Sequence, residues 1–196
     1  NPSGGWPQYY PDSSGYRKHI TFNDNAMVNV LWVMKNITDR QGAFKNLDPL
    51  FFEKAEKAMN RGIECILRCQ IVSPDGTLTA WCAQHDSKTL APAKARAYEL
   101  PSISGLESVN IALFLMTIPS PSASVVRAVT AAAKWFERVK LPGIALKFTQ
   151  DDTGKKYDTE VVSDSSSVLW GRFYDLKTNL PFFTGRDGVP RSRLSE

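Results

Sequence analysis

The stretch Asp48-Pro49-Leu50-Phe51-Phe52-Glu53-Lys54-Ala55-Glu56-Lys57-Ala58-Met59-Asn60-Arg61-Gly62-Ile63-Glu64-Cys65-Ile66 decides the fold class. Asp48 is a capping residue, and Pro49 stands in the first turn, where its missing N–H would have no helical partner anyway. Phe52, Ala55, Met59, Gly62, Ile63 and Ile66 recur at three- and four-residue spacing, the period of one helix face. The pattern predicts an amphipathic helix that ends near Val72, before a turn at Pro74-Asp75-Gly76.

Working outward, Met27, Val30, Leu31, Met34 and Ile37 predict an earlier helix from about Ala26 to Arg40. Val28, Trp32 and Val33 widen its apolar surface, so it should be packed on more than one side. Ser104-Gly105-Leu106-Glu107 has capping-box spacing ahead of the apolar run Val109–Ile118. A fourth helix follows Pro119-Ser120-Pro121-Ser122, with Val125, Val129, Ala132, Ala133, Phe136 and Val139 as its inner face. After Leu141-Pro142-Gly143 the pattern turns extended. Ile144–Thr149 and Tyr157–Val162 form one expected hairpin, and Leu169–Leu176 with Leu180–Thr184 another. No internal repeat is visible by eye, although two helix pairs in series hint at an array of helical hairpins. Residues 1–19, rich in Gly, Pro, Ser and Tyr, read as an ordered loop.

The chain has 196 residues, 42% hydrophobic and 22% charged, which fits one globular domain spanning 1–196. The longest apolar stretch, Ile111–Ile118, is too short to span a bilayer. No basic-then-apolar leader opens the chain, which begins with Asn1. A net charge of +4 permits an acidic partner without specifying one. Cys65, Cys69 and Cys82 leave open one bridge with a free thiol or three reduced thiols.

Dinucleotide, P-loop, zinc-protease and nucleophile-elbow motifs are absent, and His19 and His85 are the only histidines. Four polar clusters remain, each with a plain structural alternative. Asn23-Asp24-Asn25 precedes a helix and could cap it, yet three such residues exceed what one cap needs. Trp81-Cys82-Ala83-Gln84-His85-Asp86 could be a polar turn or a site. Leu169-Trp170-Gly171-Arg172-Phe173-Tyr174-Asp175 sets a cation among aromatics. Strand alternation there would send Trp170, Arg172 and Tyr174 to one face. Thr184-Gly185-Arg186-Asp187-Gly188 puts an arginine in a tight turn. Carboxylates and arginines among aromatics suggest an acidic-sugar site: carboxylate oxygens suit Ca²⁺, and the guanidinium fork suits carboxylates.

These residues carry a resemblance. Gly5-Trp6-Pro7-Gln8-Tyr9, His19-Ile20-Thr21-Phe22-Asn23-Asp24-Asn25-Ala26-Met27 and Trp81–Asp86 are followed by Ala97–Ser104 with Glu107-Ser108. Leu169–Tyr174 and Phe183–Gly188 complete the series. Together, in this order, they are similar to the pectate lyases of polysaccharide lyase family ten. The resemblance implies a mainly α fold, an (α/α) toroid of helical hairpins around an open groove, with short β-hairpins toward the C-terminal end. The family module is longer, so this chain would cover its central and later part and the toroid could be incomplete.

The resemblance further implies Ca²⁺-dependent β-elimination of polygalacturonate to 4,5-unsaturated oligogalacturonides. Arg172 would be the catalytic base. Asp86 and Asp24 would serve the metal, and Asp24, Asn23, Trp81, His85, Trp170, Tyr174 and Arg186 the substrate. Nucleic acid and membrane are not expected as partners, and a secreted monomer is. Two other functions stay open: a glycoside hydrolase using paired carboxylates, and a non-catalytic pectin-binding fragment.

Overall fold

The computed structural model of the chain describes residues 1–154 and 156–193. Residues 194–196 of the expected domain 1–196 lie outside the described residues, as does residue 155. Helix α1 (Ala26–Thr38) packs on α2 (Pro49–Cys69), and α3 (Gly105–Met116) packs on α4 (Ala123–Val139). Asp48 caps α2 as expected, its carboxylate accepting the Leu50 N–H at 2.8 Å. At Gly62 the α1–α2 crossing is so close that a Cβ would lie 2.6 Å from the Leu31 side chain and 2.8 Å from Trp6. The buried stripe of α2 is Ala55, Gly62, Ile63 and Ile66 with Cys65 and Cys69. On α4 the inner face holds Ala128 and Trp135 beside Val125, Ala132 and Val139, while Ala133 is exposed. All three cysteines are buried and unbridged.

The capping box before α3 takes a different form. Ser104 Oγ donates to the Glu107 carboxylate, so the two side chains satisfy each other rather than the helix backbone.

Strands thread between the helix pairs. β1 (Ile20–Thr21) pairs antiparallel with β2 (Gln84–His85), Ile20 opposite His85. β3 (Ile103–Ser104) begins a four-stranded sheet ordered β3-β6-β7-β8, with β6 (Phe173–Tyr174), β7 (Pro181–Thr184) and β8 (Pro190–Arg191). β4 (Leu141–Gln150) and β5 (Lys156–Leu169) form a separate long hairpin. No helix among the described residues is long and apolar enough to cross a membrane.

The mainly α toroid is therefore not what forms. The described residues are about 39% helical and 21% strand, and four helices in two hairpins close no ring. The expected β-hairpins toward the C-terminal end do form, as β4–β5 and β6–β7, but short strands also precede both helix pairs, because each Ile-Thr or Ile-Ser pair is drawn into a ladder with a segment far downstream.

A tandem duplication underlies this layout. Trp81-Cys82-Ala83-Gln84-His85-Asp86-Ser87-Lys88-Thr89-Leu90-Ala91-Pro92 and Trp170-Gly171-Arg172-Phe173-Tyr174-Asp175-Leu176-Lys177-Thr178-Asn179-Leu180-Pro181 share Trp, Asp, Lys, Thr and Pro at identical spacing. Asp86 Oδ1 accepts the N–H groups of Lys88 and Thr89 at 3.0 and 2.8 Å, and Asp175 Oδ1 accepts those of Lys177 and Thr178 at the same distances. Leu90 and Asn179 both take positive φ, at 63° and 57°. In each unit a short strand, a helical hairpin and this turn follow one another, and the strand before the turn returns to pair with the unit's first strand.

Candidate active site

The first element is the junction between β1 and α1. Phe22 and Asn23 both donate their N–H to Ala83 O, which ends the ladder and turns the chain. Asp24 and Asn25 then adopt left-handed backbone in succession, with φ of 54° and 58°. Two such residues in a row are unusual outside glycine, though Asp and Asn tolerate the region best. Neither side chain caps α1. Asn25 accepts from Asn110 Nδ2 at 2.7 Å. Asp24 is exposed, and its Oδ2 accepts from Asn23 Nδ2 at 2.7 Å and from Gln8 Nε2 at 3.2 Å. Buried Asn23 thus orients Asp24 and leaves Oδ1 open, so the cluster is not a helix cap.

The second element is the loop from Lys94 to Glu99, and sequence reasoning missed its chemistry. Glu99 is buried, with 2% exposure. Burial works against its charge, but hydrogen bonds from Arg96 and the fields of Arg96 and Arg172 hold its carboxyl below the usual range. Arg96 binds it through Nη2 at 2.6 Å, Nε at 2.9 Å and its own backbone N–H at 3.1 Å. The Arg96-x-x-Glu99 spacing was the available signal.

Arg172 is the third element. Its backbone carbonyl accepts the Gly105 N–H at 3.0 Å, at the start of α3. A Cβ on Gly105 would lie 2.7 Å from the Gly171 carbonyl, so only glycine lets the two chains approach. The guanidinium lies 4.9 Å from the Phe173 ring centroid, with Nη2 at 3.8 Å from Glu99 Oε1. About half of its side chain, 52%, remains exposed. Arg186 is exposed in the Gly185–Gly188 turn, which abuts the same loop at Ala97.

Three of the expected substrate residues face inward. Trp81 is fully buried and donates from Nε1 to Ile66 O at 2.8 Å. His85 is fully buried, its Nδ1–H donating to Leu90 O at 2.8 Å and its Nε2 accepting the Cys82 N–H at 3.2 Å. Desolvation lowers its pKa to about 4, so the ring is neutral. Tyr174 is fully buried, its hydroxyl between Gly171 N and Val139 O. None of these rings presents a surface to a ligand. The expected strand face of Trp170, Arg172 and Tyr174 does not form either, because β5 ends at Leu169 and β6 begins at Phe173. Trp170 stands apart, 46% exposed, its indole fixed by Nε1 donating to Phe136 O at 2.9 Å.

The structure does not bring Asp86 to Asp24. Ladder register sets Asp86 opposite His19, at one end of β1–β2, while Asp24 lies past Ala83 at the other. The backbone N–H groups of Thr89 and Lys88 hold the Asp86 carboxyl below its usual range, and its Oδ2 stays open. Among the described residues no group of three His, Cys, Asp or Glu is arranged to hold a metal. Two hard oxygens, Asp24 Oδ1 and Asp86 Oδ2, fit Ca²⁺ as partial ligands, whose usual set is about six to eight oxygens.

The family model described as pectic acid lyase matches residues 1–196. Two solved structures are similar in fold and sequence. One is a mutant family 10 polysaccharide lyase from Cellvibrio cellulosa in complex with trigalacturonic acid, at TM-score 0.86 and 38% identity, covering 98% of this chain and 59% of that one. The other is a family 10 polysaccharide lyase from the same organism, at TM-score 0.85 and 38% identity, covering 97% of this chain and 58% of that one. The chain thus spans less than two thirds of either neighbour. No curated protein matches it.

Proposed function

The chain belongs to the pectic acid lyase family, and on that premise we propose that it cleaves polygalacturonate by β-elimination with Arg172 as the base. The observation that carries the reading is the Arg172 guanidinium. It is held by Glu99 on one side and Phe173 on another, and it keeps open N–H groups toward solvent. The neighbour's complex with trigalacturonic acid supports an oligogalacturonate as ligand.

In this reading a neutral Arg172 nitrogen takes the C5 proton, which lies α to the uronate carboxylate. The electrons of that C–H bond form the C4=C5 double bond. The glycosidic C4–O bond breaks, and its oxygen leaves as an alcohol after gaining a proton from water. Arg186 binds a substrate carboxylate through its fork. Asn23 orients Asp24 through Oδ2, and Oδ1 would be available to the ligand. Asp24 and Asp86, set at opposite ends of the β1–β2 ladder, would each offer a carboxylate oxygen to Ca²⁺ carried with the substrate, whose carboxylates and water would supply the other oxygens. When bound there, Ca²⁺ would supply positive charge to offset the uronate carboxylate and the enolate-like transition state. Free arginine loses its proton only far above neutrality, so turnover should rise through the alkaline range. Pectin lies outside cells, and the proposed setting is a secreted monomer acting there.

The paired-carboxylate hydrolase has no observation in its favour. It would pair Asp24 with Asp86 as acid and base, whereas the β1–β2 register sets them at opposite ends of the ladder and backbone N–H groups hold the Asp86 carboxyl below its usual range. Ultraviolet absorbance on polygalacturonate, with Ca²⁺ and with chelator, tests the proposal. Growth of the conjugated-uronide band supports elimination. Reducing ends without that band would mean hydrolysis, and binding without either a non-catalytic fragment.

A further inference from the structure

We propose that Glu99, braced by Arg96, positions the Arg172 guanidinium, an inference that rests on reading Arg172 as the base. A buried carboxylate is costly unless it is paired. Arg96 alone meets that need, with two side-chain N–H donors and its backbone N–H. Glu99 nevertheless turns Oε1 toward Arg172 Nη2 as well, at 3.8 Å, outside hydrogen-bond reach but within ion-pair reach.

Arg172 is thereby held from three directions. Gly105 fixes its backbone at 3.0 Å, Phe173 lies under its plane, and Glu99 attracts one Nη. Arg96 occupies both Glu99 oxygens, so the carboxylate cannot swing fully onto Arg172 and close it off. The remaining N–H groups keep one orientation toward the open side. Orientation of a reacting group is worth large factors in rate, and a displacement of about 1 Å can cost about 100-fold. The tandem unit supports a functional cause. The position equivalent to Arg172 is Ala83, which carries no charge to be held.

Glu99→Gln keeps the shape and one acceptor oxygen for Arg96, but it removes the charge and sets its NH2 against another Arg96 donor. We expect kcat on polygalacturonate to fall about 10- to 100-fold, with KM little changed and Tm lowered, since a buried pair with Arg96 is weakened as well. In an Arg172→Lys background the same substitution should have no further effect, since coupled residues are not additive. Equal losses in both backgrounds, or a normal kcat in the folded single variant, would overturn the proposal. Should Glu99→Gln not fold, Glu99→Asp keeps the buried anion while drawing it back from Arg172, and kcat must fall there too. NMR of the arginine side chains separates this inference from the lyase reading. If the native protein makes no unsaturated product, the lyase reading fails. Slowly rotating Arg172 Nη signals that average out in Glu99→Gln would still support positioning, and unchanged signals would refute it.

Discussion

Trp81 and Trp170 hold the same place in two copies of one unit. Each indole N–H donates to the carbonyl of a residue near the end of its unit's second helix, Ile66 at 2.8 Å and Phe136 at 2.9 Å. The first unit is roofed by the second, since Ser104 N and Ser108 Oγ both donate to Trp81 O. Trp81 is therefore sealed and Trp170 half open. The duplication separates scaffold from chemistry. Hydrogen bonds present in both units, such as those that Asp86 Oδ1 and Asp175 Oδ1 accept, are explained by folding, whereas Asp24-Asn25 and Arg172 have no such shared role.

The two turns supply a paired test. Asp86→Asn and Asp175→Asn should lower Tm by similar amounts, because each weakens the same pair of backbone hydrogen bonds. Only Asp86→Asn should also raise the Ca²⁺ concentration needed for half-maximal turnover. An equal Ca²⁺ response in both variants would remove Asp86 from the metal assignment.

Asp24→Asn should abolish most turnover while Tm stays within a degree or so of the native value, since Asn tolerates left-handed backbone nearly as well. Asp24→Ala is the poorer probe, because strain at φ 54° adds its own cost. Normal turnover in Asp24→Asn would leave that carboxylate with only a structural role.

Gly105→Ala should lower kcat although alanine favours helix, because its Cβ would meet the Gly171 carbonyl and push the Arg172 segment away. A gain in stability with unchanged kcat would show that this approach does not set the base.

His85 ties stability to pH. Protonating Nε2 would set it against the Cys82 N–H, and burial adds to the penalty. Its folded pKa, about 4, lies below the unfolded value near 6.5. The unfolded chain therefore binds the extra proton first. Stability from this group is whole above about pH 6.5 and is lost as pH falls toward 4, amounting to about 3 kcal/mol. Denaturant midpoints across that window should fall with acid, and His85→Gln should flatten the slope.

Much of the helical frame was legible, because periodicity at Phe52–Ile66 and Met27–Ile37 reports packing along one element. The β1–β2 and β3–β6 ladders were not, since two-residue strands carry no alternation and pair across long separations. The duplication was hidden because the β4–β5 hairpin interrupts the second unit alone. At the site, Arg172 and Asp24 were marked by residue type. Trp81, His85 and Tyr174 were marked by the same polar-aromatic signal, and only burial shows that their polar atoms serve the backbone. Glu99 stayed unseen because a buried ion pair three residues long looks like an ordinary charged loop.

The most direct test of Arg172 as base is steady-state formation of the unsaturated product by Arg172→Lys at alkaline pH. Lysine keeps the charge and loses the fork. The account predicts a fall in kcat of at least about 100-fold, with KM nearly unchanged. A near-normal kcat with a raised KM would make Arg172 a carboxylate binder and contradict it.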